Sequence, residues 1–387
     1  MYKRQVDISV VVDGEPWSSN RFEIEHDMVV AAPTINVVTL GAGGGSIISA
    51  TPEGDIATGP ESAGAEPGPA CYGDGGAWPT VTDAAAVIGI LSADGFLGGR
   101  KALRVDLARE AFQRLDTPLS FADRVRYGWE LAIDHIAEGI RNIAIRRGID
   151  TRDFSLVAAG AAGPMLIPAV LDHVPLRRVV VPPHPGLFSA LGLASTDRAY
   201  GDHLGRYLAL GPHAAAEIDE IYRVLEERVR STVQDQDGGR LVRTFDARYF
   251  GQSWETPLVE APTGPIDGTA VEEMVERFRS AYEKVNGIGF GFVPVEAVAF
   301  GVQLVVPADK VTYPVLPDAP GPAVPSGETV LEHLFPSPVA AAEYQRADLG
   351  AGAEVAGPAV IREPLSTTFV PPGRVASVGA HGEIVIT

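Results

Sequence analysis

The sequence predicts an α/β fold for the first half of the chain and an α+β domain with a β-rich end for the second half. The β-rich end is predicted because roughly the last thirty residues alternate short β-branched runs with Pro and Gly turns. The α/β prediction rests on a parallel β–turn–α–β unit, whose turn lies at the carboxyl end of a strand, where open α/β sheets bind ligands. Its parts are strand Phe154–Ala159, turn Gly160–Gly163, helix Met165–His173 and strand Arg178–Val181.

A long buried helix is predicted just before that unit. Over Trp129–Ile143 the apolar residues recur at intervals of four and three, which is one face of a helix that ends at Gly148. A shorter helix is expected over Thr82–Leu91, with Thr80 or Thr82 as its N-cap, because a hydroxyl oxygen can accept a hydrogen bond from the first turn.

A composition shift near Tyr200 predicts two domains, 6–200 and 201–387, and residues 1–5 are expected to be a non-native junction. The second domain is expected to combine helices that have one apolar face with strands. The helical stripes comprise Ile218, Ile221, Leu225, Val229 and Val233, then Val271, Met274, Phe278, Ala281 and Val285, and the strands cover Leu241–Phe250 and Val295–Val306.

A glycine-rich block is the most informative feature of the chain. It opens with GAGGGS at Gly41–Ser46, directly after the apolar run Ile35–Leu40, and 16 of the 43 residues over Gly41–Asp83 are Gly or Pro. Because glycine has no Cβ, backbone N–H groups in such a bend can approach an anion closely. The alternative is a set of tight turns that bind nothing.

The order of motifs in this block resembles the hydantoinase A/oxoprolinase family, and the resemblance covers nearly all of the chain. The segments that carry it share the family's order along the sequence. They read GAGGGSI, SAGAEPGPACYGDGG and PTVTDA between residues 41 and 84, FSLVAAGAAGP at 154–164, RVVVPPHPGLFSALGLASTD at 178–197, and VAGPAVIREPLSTTFVPP at 355–372.

The resemblance implies a fold and a missing part. The family belongs to the actin- and sugar-kinase-like (ribonuclease H-like) ATPases, in which ATP lies between two lobes and each lobe supplies a glycine–threonine phosphate hairpin. Val6–Ser9 is similar to the second half of the second hairpin, so we expect the first lobe to be missing here. We therefore expect the second lobe of that fold, followed by the carboxy-terminal domain of the family, as the carboxy-terminal part of a larger enzyme.

The resemblance also implies which residues bind ATP. The bend formed by Gly41, Gly43, Gly44, Gly45 and Ser46 would face the phosphates with its N–H groups and the serine hydroxyl.

The second glycine turn would lie against the adenosine through Gly160 and Gly163, and simple packing of a helix on a strand is its alternative. Two residues depart from the family pattern. Ala161 stands where a second glycine is usual, and Leu166 stands where a histidine often occurs, so no imidazole role can be transferred there.

Three residues are catalytic candidates: Asp7, Asp83 and His184. Asp7 matches the acidic residue after the hairpin threonine and could act beside a metal or phosphate, or it could be a solvated strand residue. Asp83 could contact substrate, although capping the following helix is the better-supported alternative. His184, in the stiff turn PPHPG, is either an acid/base group or a histidine without a chemical role.

Other candidates have more ordinary interpretations. Glu61 and Glu66 could polarise a substrate amide, but surface charge is the default. The single cysteine, Cys71, excludes an internal disulfide and is better read as a small buried apolar residue than as a nucleophile.

Composition restricts the classes of function. The 387 residues carry a formal net charge of −19, which argues against nucleic acid, because binding a polyanion requires a basic face. The eight histidines show no HxxxH or HExxH spacing, so no protein metal site is predicted, and Mg²⁺ would arrive with the ATP phosphates. No apolar segment is long enough to span a membrane, and a cytoplasmic location is expected.

The reaction that the resemblance implies is ATP-dependent opening of a cyclic amide or imide, of the hydantoin or 5-oxoproline type, by phosphorylation of the carbonyl oxygen. Two alternatives remain open: a subunit of an ATP-dependent acetone or acetophenone carboxylase, and a truncated scaffold without catalytic activity. A second, hydantoinase B-type subunit or domain is the expected partner in an oligomer, and the isolated chain is expected to be inactive.

Overall fold

The computed structural model describes residues 5–25, 28–233 and 238–387. The helices of this part of the chain are α1 (Val81–Ile88), α2 (Val105–Gln113), α3 (Phe121–Arg147), α4 (Gly163–Leu166), α5 (Phe188–Ser195), α6 (Ala215–Ser231) and α7 (Gly268–Asn286). None of these helices combines the length and the apolar character needed to cross a membrane.

The strands are short and most numerous near the carboxyl end. In chain order they are β1 (Val6–Ser9), β2 (Val11–Val12), β3 (Glu15–Pro16), β4 (Ser18–Glu25), β5 (Met28–Ile35), β6 (Val37–Leu40), β7 (Ser46–Ala50), β8 (Ile56–Ser62), β9 (Ser155–Val157), β10 (Arg178–Val181), β11 (Arg198–Ala209), β12 (Arg240–Tyr249), β13 (Thr256–Glu260), β14 (Val295–Val306), β15 (Asp318–Pro322), β16 (Gly327–Leu331), β17 (Val339–Gln345), β18 (Ala351–Ala356), β19 (Ala359–Glu363), β20 (Ser366–Val370), β21 (Val375–Val378) and β22 (Ile384–Ile386).

The chain folds into two compact units, and neither is continuous in sequence. The first comprises the residues up to Trp17, Ile35–Gly192 and Thr312–Thr387, and the second comprises Ser18–Thr34 and Leu193–Val311. This division differs from the predicted domains, 6–200 and 201–387, because the carboxy-terminal strands pack with the first unit.

A six-stranded sheet explains that difference. Its strand order is β15-β18-β21-β22-β10-β9, so the last strand of the chain pairs with β10, antiparallel, with Val179 opposite Ile386. On its other side β10 pairs in parallel with β9, as the sequence predicts. The predicted helix after β9 is shorter than expected: α4 ends at Leu166 and a 3₁₀ turn follows over Ile167–Asp172. Pro168 has no N–H to donate, so it cannot extend an α-helical ladder.

Helix α3 is confirmed at its predicted place and is the central helix of the first unit. It starts at the N-cap Ser120 and ends at Gly148 in the left-handed conformation, and its apolar face, which includes Trp129 and Ile136, is buried. Gly139 allows the close approach of this helix to β6, since a methyl group there would overlap the side chain of Leu40.

The second unit is built around an antiparallel sheet with the strand order β11-β14-β12-β13. The two predicted helical stripes lie on α6 and α7, except that Val233 follows the end of α6. Their described side chains are buried apart from Ala281, which is half-buried, and the side chain of Val285 lies outside the described residues. They enclose an aromatic core in which Tyr222 packs edge-on against Phe300.

A buried ion pair links the carboxy-terminal strands to β10 within the first unit. The guanidinium of Arg346 lies 2.9 Å from Oε1 of Glu363, and the two side chains are only 12% and 9% exposed. Arg346 also donates to the carbonyls of Val181, Pro182 and Gly382 at 3.2, 2.9 and 2.8 Å.

Substitution of Gly139 by Ala tests the contact between α3 and β6. Alanine should gain roughly 1 kcal/mol from helix propensity, but overlap with Leu40 should cost about 1–3 kcal/mol, so the variant should be less stable in urea unfolding. Ile145→Ala, at a 77% exposed position of the same helix, is the control and should change stability by less than about 0.5 kcal/mol. A Gly139→Ala variant that is more stable than the wild type would contradict this packing.

Loss of the Arg346 side chain should destabilise the protein by about 3–5 kcal/mol, because it leaves a buried carboxylate and three carbonyls without their donor. The matched control is Arg223→Ala, whose partner Glu220 is as exposed as the arginine itself (58% and 61%), and whose loss should cost at most about 1 kcal/mol. If the two variants lose the same stability in thermal or urea unfolding, the buried pair contributes no more than the exposed one.

Candidate functional site

Three segments that the sequence singles out meet in the first unit. A Cβ built at Gly44 in the first bend would lie 3.4 Å from the Cβ of Ala162 in the second glycine turn. The N–H of Gly160 donates to the carbonyl of Pro185 at 2.7 Å, which brings the His184 loop next to that turn. The two predicted glycine sites and His184 therefore belong to one region of the molecule.

The first bend turns its carbonyl groups inward. Gly41 is exposed, whereas 42–46 are buried. The carbonyl of Gly44 accepts from both the N–H and the hydroxyl of Thr82, at 2.8 and 2.7 Å. The carbonyls of Gly43 and Gly45 accept from the N–H groups of Ser46 and Ala63, both at 3.0 Å.

Unlike its carbonyl groups, most hydrogen-bond donors of this bend have no protein partner. Within the described chain, no N–H group of residues 42–45 donates a hydrogen bond to protein, and the fully buried hydroxyl of Ser46 has no partner. A buried donor without a partner costs about 1–3 kcal/mol. Successive free N–H groups in a turn can bind an anion as a nest, so the donors present fit a phosphate group.

The second glycine turn is more open. Gly160 has φ +83°, in the left-handed region that favours glycine, and a Cβ there would meet no atom within 4 Å. Gly163, which is half-buried, begins α4, and the neighbouring Ala161 is exposed. Since the turn follows β9, it lies at the carboxyl end of a parallel strand, where ligands bind in open α/β sheets.

His184 is exposed and stands in the left-handed conformation, with φ 52° and ψ 52°, between two prolines. Its carbonyl accepts from the N–H of Leu187 at 2.9 Å. The strained, proline-flanked backbone places residue His184 next to the second glycine turn, and its acid/base role stays a prediction.

Asp83 lies in the core, where it caps a helix. It is fully buried, and its carboxylate accepts from the N–H groups of Ala70, Cys71 and Thr80 at 3.1, 2.6 and 2.8 Å. The hydroxyl of Thr80 adds a fourth bond at 2.8 Å and caps α1 in return. Protein donors reach both oxygens and the capping alternative is confirmed, whereas a substrate contact of Asp83 stays a prediction.

Cys71 is buried directly beside this carboxylate. Burial, reinforced by the charge of Asp83, raises the pKa of the Cys71 thiol far above its usual range. Since the thiolate is the nucleophilic form, this cysteine is a core residue, as the sequence favours. Burial likewise raises the pKa of Tyr72 to about 12.

Asp7 lies on an exposed strand face. Its Oδ1 accepts from the hydroxyl of Thr39 at 2.8 Å across the β1–β6 pair. Among the described side chains, no group of three or more His, Cys, Asp or Glu is arranged to hold a metal ion. Glu61 and Glu66 are exposed as well, in agreement with surface charge.

A cavity of about 460 Å³ borders the first bend and was not anticipated from the sequence. Gly41 and Ala42 line it together with β8 and one face of α3. Gly59 brings β8 close to the bend, since its φ is +68° and a Cβ there would lie 2.7 Å from the Gly41 carbonyl oxygen. The polar side chains on the α3 face are His135, Glu138 and Asn142.

The sequence gives only a weak indication that His135, Glu138 and Asn142 belong to a site. Their spacing of three and four places them on one helix face. The sequence alone cannot tell such a face from an ordinary solvated one, because the opposing wall comes from β8, more than seventy residues earlier. A second cavity of about 320 Å³ adjoins the first through Ile56 and Leu131.

The sequence that contains these glycine bends matches a known family model. The hydantoinase/oxoprolinase model aligns with residues 5–200, just over half of the chain. The chain belongs to this family. The match includes the first bend, the second turn and His184.

Curated relatives of the chain include enzymes that act on different substrates. Caprolactamase subunit alpha of Pseudomonas jessenii is 29% identical over 364 residues, which cover 89% of this chain and 51% of the relative. Acetophenone carboxylase gamma subunit of Aromatoleum aromaticum is 27% identical over 414 residues, covering 98% and 54%. The chain thus spans about half the length of the curated relatives it matches.

Solved structures agree on a mixed α/β fold. The crystal structure of ATP-dependent caprolactamase from Pseudomonas jessenii matches 93% of this chain and 54% of its own, with a TM-score of 0.71 and 28% identity. Nucleotide-free acetone carboxylase matches 100% of this chain and 57% of its own, with a TM-score of 0.85. At 23% identity, this second likeness concerns the fold alone.

The substitution Asp83→Asn tests the capping role. An amide keeps one acceptor oxygen but turns an NH₂ group toward donors, so the free energy of unfolding should fall by about 3 kcal/mol. Asp7→Asn, on an exposed strand, should change it by less than about 0.5 kcal/mol. If chemical unfolding shows Asp83→Asn to be as stable as the wild type, the buried carboxylate does not hold the start of α1.

Proposed function

We propose that this chain supplies the second, nucleotide-binding lobe of an ATP-dependent enzyme that opens a cyclic amide or imide. The lobe would be of the actin- and sugar-kinase-like type. The observation that carries the proposal is the set of unused donors at residues 42–46, a buried nest beside the second glycine turn. Membership of the hydantoinase/oxoprolinase family and the similarity to a caprolactamase subunit support the choice of reaction.

Different segments of the chain would bind different parts of the nucleotide. The N–H groups of residues 42–45 and the Ser46 hydroxyl would hold phosphate oxygens, and the turn Gly160–Gly163 would lie against the adenosine. Magnesium would be carried by the phosphates, since Mg²⁺ keeps several waters and needs few protein ligands. Bound ATP would supply the phosphoryl group that makes an amide oxygen a better leaving group.

Positioning is the contribution expected from the protein in such chemistry. Phosphoryl transfer depends on orientation and on fixed donors that stabilise charge, with little covalent work for side chains. His184, held next to the second turn, is the residue that we propose for proton transfer. Asp7 would act only through solvent or through the metal that accompanies ATP.

We propose further that catalysis needs sequence beyond this chain. Two of its relatives, caprolactamase subunit alpha and acetophenone carboxylase gamma subunit, are about twice as long as the matched part and are named as subunits. A first lobe and a second, hydantoinase B-type subunit would complete the site around a small cyclic substrate. The isolated chain is therefore expected to bind nucleotide without turning over substrate.

A ketone carboxylase subunit is the second candidate, favoured by the acetophenone carboxylase relative, whose alignment covers 98% of this chain. The two reactions differ in what triggers ATP consumption. In the completed enzyme, consumption stimulated by a lactam or hydantoin supports hydrolysis, whereas a requirement for bicarbonate and a ketone supports carboxylation.

Calorimetry with Mg-ATP on the chain and on Ser46→Ala tests the nest. Removing an unpartnered buried hydroxyl should stabilise the free protein by about 1 kcal/mol and weaken nucleotide binding roughly tenfold. Ser49→Ala, on the same strand β7 but facing the other side, should change neither quantity. Absence of binding heat and of a thermal shift for the wild type would favour a scaffold without nucleotide.

A further inference from the structure

The cavity beside the first bend has the character of a small-molecule site. Its volume of about 460 Å³ falls within the usual range of ligand pockets, about 300–1,000 Å³. Leu40, Ile56, Pro60 and Leu131 give it apolar walls. Three exposed polar side chains of one helix face, His135, Glu138 and Asn142, line its edge, and a few such groups can orient a small ligand.

The polar groups on α3 suit a ring that contains an amide. Glu138 can accept a hydrogen bond from a ring N–H, and the amide of Asn142 can donate to a ring carbonyl. His135 lies one turn before Glu138 on the same face and can do either. The hydroxyl of Thr58, on the opposite wall, is already used, because it donates to the carbonyl of Gly128 at 3.1 Å.

The acidic side chains that line the two cavities are not balanced by lysine or arginine. Among the described residues that line this cavity or the adjoining one there is no lysine or arginine. The carboxylates are Glu138 in the first cavity and Asp55, Glu130 and Asp134 in the second. Asp134 lies 2.8 Å from Nδ1 of His173, so the repulsion is assigned chiefly to Glu138. A ligand that carries its own carboxylate would meet repulsion here, and phosphates held at residues 42–46 would add to it.

We infer that this cavity receives the substrate ring, and that it selects uncharged cyclic amides such as lactams over rings that carry a carboxylate. The inference rests on the proposed function, which it deepens by placing the ring next to the phosphate-binding bend. Gly41 and Ala42 belong both to the bend and to the cavity wall, so a ring in the cavity would lie beside the proposed phosphate site.

Binding of rings to the full chain without nucleotide tests the inference. ε-Caprolactam should bind saturably, and 5-oxoproline, which carries a carboxylate, should bind roughly tenfold more weakly in calorimetry or ligand-observed NMR. Glu138→Gln should reduce this gap, the ratio of the two affinities, several-fold. The control Glu328→Gln removes an exposed carboxylate that lines neither cavity and should leave the gap unchanged.

A blocking variant shows where the ring binds. Asn142→Trp should fill the mouth of the cavity and abolish ε-caprolactam binding, because Asn142 is exposed and its replacement need not disturb the core. Ile145→Trp, on the same helix but outside the cavity lining, should bind as the wild type does.

Three outcomes would overturn the inference: tighter binding of 5-oxoproline, caprolactam binding that survives Asn142→Trp, or no ring binding at all. If no ring binds while Mg-ATP does, the cavity assignment fails and the nucleotide proposal stands. If rings bind as expected and Mg-ATP does not, the nucleotide proposal fails and the cavity assignment stands.

Discussion

The double hydrogen bond from Thr82 to the carbonyl of Gly44 fixes the first glycine bend. It draws the carbonyl toward the start of α1, and Asp83 holds that helix start against residues 70–71. Once the carbonyls are committed to protein donors, the N–H groups of the bend remain unused. The nest, the second glycine turn that packs against Gly44, and the neighbouring cavity all depend on this one orientation.

The sequence predicts those parts of the fold that have local signals. Helix α3 follows from apolar spacing and from the glycine that ends it, and β14 follows from its apolar, β-branched composition. The pairing of β10 with β22 was not predictable, since these strands are about two hundred residues apart and no local pattern states which strands pair. That pairing is why the observed units are not continuous in sequence.

The candidate site was predictable in its glycines and less so in its side chains. Glycine is favoured at Gly160 because φ there is +83°, and at Gly44 because a Cβ would lie 2.9 Å from the Thr82 hydroxyl. In the sequence, a carboxylate that caps a helix looks the same as one that contacts a substrate. For Asp83, only its burial in the structure distinguishes the two roles. The face of His135, Glu138 and Asn142 acquires meaning only when β8 lies opposite. Side-chain roles therefore depend on distant chain segments that spacing does not reveal.

Hydrogen–deuterium exchange with and without Mg-ATP measures the central claim directly. The account predicts that nucleotide slows exchange of the amides of residues 42–45, because their free N–H groups become donors to phosphate. Protection confined to other segments, or unchanged exchange at this bend under conditions where nucleotide is bound, would contradict it.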